Sequence, residues 1–434
     1  MKTSLDEDAA MTVFYAEQAQ LPTGLATRVR LSVAAGRFTA VDTEVERERG
    51  DVEMPGVVLA GFANAHSHAF HRALRGRTHD RGGTFWTWRE QMYELASSLT
   101  PDSYYDLAVD VFIEMALAGV SCVGEFHYVH HQPGGSPYAD PNAMGEAVIS
   151  AARTAGIRIT LLDTCYLAGG LAGGRHTPLA PEQLRFSDGS AARWAERVGR
   201  LSDRDGVRIG AAVHSIRAVP RDQLPVVARW AAGRPLHVHL SEQPAENEEC
   251  LLAYGVSPTE LLADCALLGP ASTAVHATHL TAADIERLGT SRTAICACPT
   301  TERDLADGIG AFRALHDAGS PLTLGSDQNA VIDLLEEARG LEMHERLATG
   351  QRGRFQPREL TEALTINGHR SLGWDDAGEL AVGQRADLVA IRLDSVRTRG
   401  VQPGQIPFAA TASDIDTVVV DGRMIVRGGA HSSC

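Results

Sequence analysis

The sequence predicts an α/β chain: a (β/α)8, TIM-like barrel with a small β-sandwich domain formed by both termini. Three observations predict it. Strand-like apolar runs alternate with amphipathic helical runs about eight times, the pattern of parallel βα units. Polar residues end at least six of the strand candidates. Closure gathers such ends around one mouth, whereas an open doubly wound sheet would spread them apart. The alternating stretch, residues 58–372, has room for the roughly 250 residues of a barrel plus insertions. Residues 1–57 and 373–434 have a different texture and are assigned to one composite β-domain.

Taken in order, residues 28–41 alternate and turn like short antiparallel strands. Barrel strands are expected at 57–65, 120–128, 157–166, 207–215, 236–242, 272–280, 293–301 and 321–328. A helix is expected over 102–117, because apolar residues at 104, 107, 108, 111, 112 and 115 fall on one face of a 3.6-residue repeat. Residues 220–232 and 281–288 have similar patterns, with Thr281 as N-cap. Residues 378–391 and 417–428 again look like short strands, and Asp421-Gly422 is a hairpin-turn signal. Neither end alone can bury much apolar area, so the two are expected to pair.

Composition removes several functions. The 434 residues are 44% apolar and 22% charged, which excludes a disordered or fibrous chain. No apolar run approaches the roughly 20 residues of a membrane helix. The first residues show no basic stretch leading into an apolar core, so a cytoplasmic location is expected. A net charge of −15 argues against nucleic acid and anionic membranes. The expected partner is a small-molecule substrate, and the expected assembly is a homodimer. Seven scattered cysteines, with only Cys296 and Cys298 closely spaced, suit buried free thiols. One lysine, Lys2, stands beside 39 arginines. That excludes a phosphate-binding loop and makes a Schiff-base lysine implausible.

The chemistry lies at the strand ends. His66 and His68 close the first strand; as residues i and i+2 they share a face. The fifth strand carries His237, His239 and, three residues beyond the latter, Glu242. His239 lies nearer the rim and is read as a third metal ligand, with His237 packing beneath it. The sixth strand ends with His276 and His279, which spacing alone does not rank. The eighth ends in Asp327, which would otherwise be a helix cap. Three neutral imidazoles and a carboxylate suit one divalent metal ion, with Zn2+ expected ahead of iron. Such an ion lowers the pKa of water toward about 7. Glu242 is then placed to move protons, and His276 to steady the attacking oxygen.

This constellation resembles the amidohydrolase superfamily across nearly the whole chain. Some of its members bridge two metals with a lysine on the fourth strand. The absence of lysine here, with the His239-x-x-Glu242 spacing, implies a mononuclear, deaminase-like member. Longer strings resemble the N-formimino-L-glutamate iminohydrolase (formimidoylglutamate deiminase) family of histidine degradation. They are residues 62–70, Phe85-Trp86-Thr87-Trp88-Arg89-Glu90, residues 125–131, His214-Ser215-Ile216-Arg217 and residues 275–280. The resemblance implies His66, His68, His239 and Asp327 as metal ligands, and Glu242, His276 and Asp327 as catalytic residues. It also implies His71, Arg89, Tyr128, His214 and Arg217 as substrate contacts, and it favours His276 over His279. Many members have glutamine where His71 stands, and Gln328-Asn329 replaces an expected Ser-His. Deamination of guanine or an adenosine derivative is the alternative within the superfamily. A non-catalytic barrel scaffold is the alternative outside it.

Overall fold

A computed structural model describes residues 11–78 and 85–433. Lys2, Cys434 and the side chain of Trp86 lie outside the described residues. Eight parallel strands follow one another in sequence order: β1 (Phe62–Ser67), β2 (Val120–His127), β3 (Arg158–Cys165), β4 (Val207–Val213), β5 (Leu236–Leu240), β6 (Ser272–His276), β7 (Ala294–Ala297) and β8 (Leu322–Leu324). Nearly every position in them is buried, as strands are when both faces are covered. The ring closes between β8 and β1. Asp327 N–H donates to His66 O at 3.0 Å, and His68 N–H donates to Asp327 O at 2.9 Å. The Asn64 amide is bonded to the Ser326 hydroxyl at 2.6 Å and backbone N–H at 3.0 Å. Among the described residues, no helix is long and apolar enough to cross a membrane.

The expected first strand, 57–65, falls on two strands. Val52–Ala60 belongs to the terminal sheet, and β1 begins at Phe62. The chain changes sheet at Gly61, where a Cβ would meet Ser121 Oγ at 2.4 Å and Asp387 Cβ at 2.8 Å. Strands also end earlier than apolar patterning suggests. His276 (φ 66°), Ala277 (φ 50°) and Asp327 (φ 45°) adopt left-handed backbone, which leaves the ladder. The helix expected over 220–232 spans Leu224–Trp230. Pro225 has no N–H and fits only the first turn, so the helix cannot begin much earlier. The helix Pro101–Leu117 follows its predicted stripe, and Thr281 caps Ala282–Ser291 by accepting from Asp284 N–H.

Both ends of the chain build one eight-stranded mixed sheet beside the barrel. Val52–Ala60 joins them: it pairs parallel with Thr12–Leu21 and antiparallel with Leu388–Ile391. The 417–428 signal becomes the strands Ile415–Val420 and Arg423–Arg427, turned at Asp421 (φ 48°) and Gly422 (φ 75°). This sheet has its own apolar core around Phe14, Leu31, Phe38, Val58, Leu388 and Val419. The barrel and its helices share a larger one.

A buried guanidinium ties the two parts together. Arg158, the first residue of β3, is bidentate to Asp387 and lies 3.2 Å from Asp421 Oδ1. Arg158→Leu strands the buried Asp387 carboxylate and is expected to cost about 3–5 kcal/mol. Urea denaturation followed by fluorescence measures it; an unchanged midpoint contradicts the role.

Candidate active site

Four side chains from β1, β5 and the end of β8 meet at the mouth. His239 Nε2 lies 3.2 Å from His66 Nε2 and 3.3 Å from His68 Nε2. Asp327 Oδ1 lies 3.2 Å from His66 Nε2 and 3.5 Å from His68 Nε2. All four ligand atoms fall within 4.8 Å of one another, and all four residues are buried. Ring orientation is set from behind. His68 Nδ1 lies 2.9 Å from Phe126 O, and His239 Nδ1 lies 2.8 Å from His214 O. A carbonyl only accepts, so both Nδ1 atoms carry the proton and both Nε2 lone pairs face the cluster. Burial holds His66, His68 and His239 below the ordinary imidazole pKa, so they are neutral. Burial opposes charge on Asp327 too, but the His66 bond and nearby imidazoles keep its carboxyl below its usual range.

Lone pairs and a carboxylate facing one another at this distance repel unless a cation lies between them. Donors about 2.0–2.1 Å from a tetrahedral centre are about 3.3–3.4 Å apart, close to the spacings here. The residues therefore fit a divalent ion. His237 is one layer lower, with Nε2 donating to Ser371 O at 3.1 Å. It packs, as expected.

Glu242 and His276 flank this cluster. Glu242 Oε1 is 3.7 Å from His276 Nε2, and Glu242 Oε2 accepts from Arg217 Nη2 at 3.3 Å. His276 Nε2 is also 3.7 Å from Asp327 Oδ2, while its Nδ1 is 3.4 Å from Glu302 Oε1. Burial disfavours charge on His276, yet Glu242, Glu302 and Asp327 together hold its pKa well above the ordinary value. His279 turns away and donates to Asp307 O at 2.7 Å. The pair that spacing left unranked is thus separated by geometry.

A cavity opens above the cluster, lined in part by Arg89, Tyr128, His214 and Arg217. His71 is not among its lining residues. Its Nε2 is hydrogen-bonded to Tyr128 OH at 2.8 Å, and its ring packs on Trp88. Burial pushes the His71 pKa down to about 3, so it is a neutral prop behind Tyr128. Gln328 bonds Asp304 at 2.6 Å, and Asn329 braces Ser67 and His68 O at 3.1 Å each. Asn329 thus supports the closing seam, while Gln328 ties the end of the last strand to the segment after β7.

Several residues at the site were not singled out from the sequence. Glu302 faces His276, and Glu246 Oε2 lies 3.0 Å from Arg217 Nε. Tyr93 and Tyr166 line the cavity, and Gln183 joins them from a short turn of helix after β3. Glu246 follows Glu242 by four residues, a usable helical signal. The tyrosines and Gln183 come from segments with no shared period, so nothing in the linear order unites them.

Fold and mouth together define a hydrolase of one class: the chain belongs to the amidohydrolase family, whose model matches residues 57–425. It is 35% identical to the formimidoylglutamate deiminase of Pseudomonas aeruginosa strain PAO1, covering 97% of this chain and 96% of that protein. It is 30% identical to the 8-oxoguanine deaminase of the same strain, covering 86% and 83%. The crystal structure of an amidohydrolase from Brucella melitensis superposes with a TM-score of 0.90 at 32% identity, covering 97% of this chain and 96% of that one.

Proposed function

We propose that the protein hydrolyses N-formimino-L-glutamate to N-formyl-L-glutamate and ammonia, the activity named for its 35%-identical relative. The observation that carries this reading is the pair of arginines, Arg89 and Arg217, lining one cavity with Glu242, His276 and Asp327. The substrate has two carboxylates and a cationic formimino group. Guanidinium groups bind carboxylates in bidentate fashion. A purine base offers no carboxylate to such a pair.

His66, His68, His239 and Asp327 would hold one divalent ion, Zn2+ by donor type. When bound, it supplies Lewis acidity and makes water a nucleophile near neutral pH. Arg89, Tyr128, His214 and Arg217 orient the glutamate portion, with His71 steadying Tyr128. Asp327 accepts or directs the proton leaving water. His276 Nε2 donates to the attacking oxygen. Attack makes the carbon tetrahedral; Glu242, having taken up a proton from the water, passes it to the nitrogen, and the C–N bond then breaks to release ammonia.

Ammonia release from N-formimino-L-glutamate, measured beside 8-oxoguanine and guanine, tests the reading. Turnover of a base with none of the formimino substrate overturns it. In the same assay Arg217→Ala is expected to raise KM about 10- to 100-fold, the worth of a charge-assisted bond, with a smaller change in kcat. An unchanged KM argues against its carboxylate contact.

A further inference from the structure

Donor-only groups fix the direction of several hydrogen bonds along one cavity wall. The Gln183 carboxamide oxygen accepts from Ala180 N–H at 2.8 Å. A backbone N–H only donates, so the other end of that amide is the NH2 group. It reaches Tyr166 OH at 2.8 Å, Tyr93 OH at 2.9 Å and Gly169 O at 3.1 Å, so two protons are shared among three acceptors. Arg89 donates through Nε to Tyr93 OH, and its Nη2 serves Gly169 O at 3.1 Å. Guanidinium and amide nitrogens have no lone pair to offer, so toward Gln183 and Arg89 the phenol oxygens can only accept. The two oxygens are 3.4 Å apart, a long contact in which either could donate but only one does, so at least one phenol O–H finds no acceptor among these partners. Burial and the neighbouring Tyr166 hold the Tyr93 phenol above its ordinary pKa, so it keeps its proton.

We infer that Tyr93 and Tyr166 are substrate-binding residues, which beside Arg89 in the cavity lining present phenol O–H donors to an acceptor-only ligand group. O–H donors beside a guanidinium match a carboxylate, which accepts at up to four positions and donates at none. Gln183 is the positioning residue. This deepens the proposed function, on which it rests, by assigning the donors that complement Arg89 at one of the two substrate carboxylates.

Glutarate, a plain dicarboxylate with no reactive nitrogen, is the probe. Its binding to the metal-loaded enzyme is measured by calorimetry for wild type, Tyr166→Phe and Tyr93→Phe. Each variant removes one oxygen and keeps the ring, and is expected to weaken Kd about tenfold or more. Metal content and Tm should match wild type, and with N-formimino-L-glutamate the loss should fall on KM, not kcat. Wild-type affinity in both variants overturns the inference, as does a wild-type enzyme that does not bind glutarate. Weakening that accompanies loss of metal overturns it as well, since it marks a structural role. If glutarate binding follows the expected pattern while N-formimino-L-glutamate releases no ammonia, the inference survives and the proposed reaction fails.

Discussion

Glu242→Gln is expected to fold, bind its metal ion and lose about 10²- to 10⁴-fold in kcat, the usual contribution of a positioned general acid–base. Glutamine keeps the length of the side chain and an oxygen for Arg217 Nη2, which lies 3.3 Å from Glu242 Oε2 in the native protein. It cannot take up and pass on a proton. KM should therefore change only a few-fold, since an interaction needed in the transition state alone lowers kcat and kcat/KM together. Ammonia release, metal analysis and Tm on the same preparation make the measurement. Near-normal turnover would remove Glu242 from proton transfer and leave it as a partner of Arg217.

Removal of divalent metal is expected to cost at least about 10³-fold in activity, because water at its bulk pKa near 15.7 is a poor nucleophile at neutral pH. About one equivalent of Zn2+ should restore it. Stability should fall too. Stripping the ion leaves three imidazole lone pairs and the Asp327 carboxylate facing one another at 3.2–3.5 Å in a buried site. A ligand that binds only the folded state stabilises it by RT ln(1 + L/Kd), where L is its free concentration, so Tm should rise with added Zn2+. Elemental analysis with thermal melts checks this. A metal-free sample at full activity would refute the assigned donor set.

The barrel was legible because its strands are continuous apolar runs, and the donors were legible because each ends such a run. His66 and His68 follow from the two-residue period of a strand. Asp327 does not follow from period at all; it became credible only once eight strands implied that the last lies beside the first. Strand ends were less legible. Apolar patterning continues past His276 to Leu280, but the left-handed backbone at His276 and Ala277 ends pairing there. At Gly61 the opposite happens: one apolar run serves two sheets, and only side-chain crowding marks the change. His71 shows a further limit: its position in the string resembles that of a substrate contact, but its packing on Trp88 and its bond to Tyr128 were not legible in the linear order.

Asp327 serves two masters. Its backbone clasps the last stave of the cylinder to the first, and its carboxylate faces the three imidazoles. The clasp requires a φ of 45°. Asparagine and aspartate take up that handedness more readily than most side-chain-bearing residues, though His276, Ala277 and Glu44 adopt it here too. Of the two, only aspartate brings a negative charge. Evolutionary drift at this position is thereby biased: the conformation that shuts the cylinder favours the same short anion that faces the imidazoles.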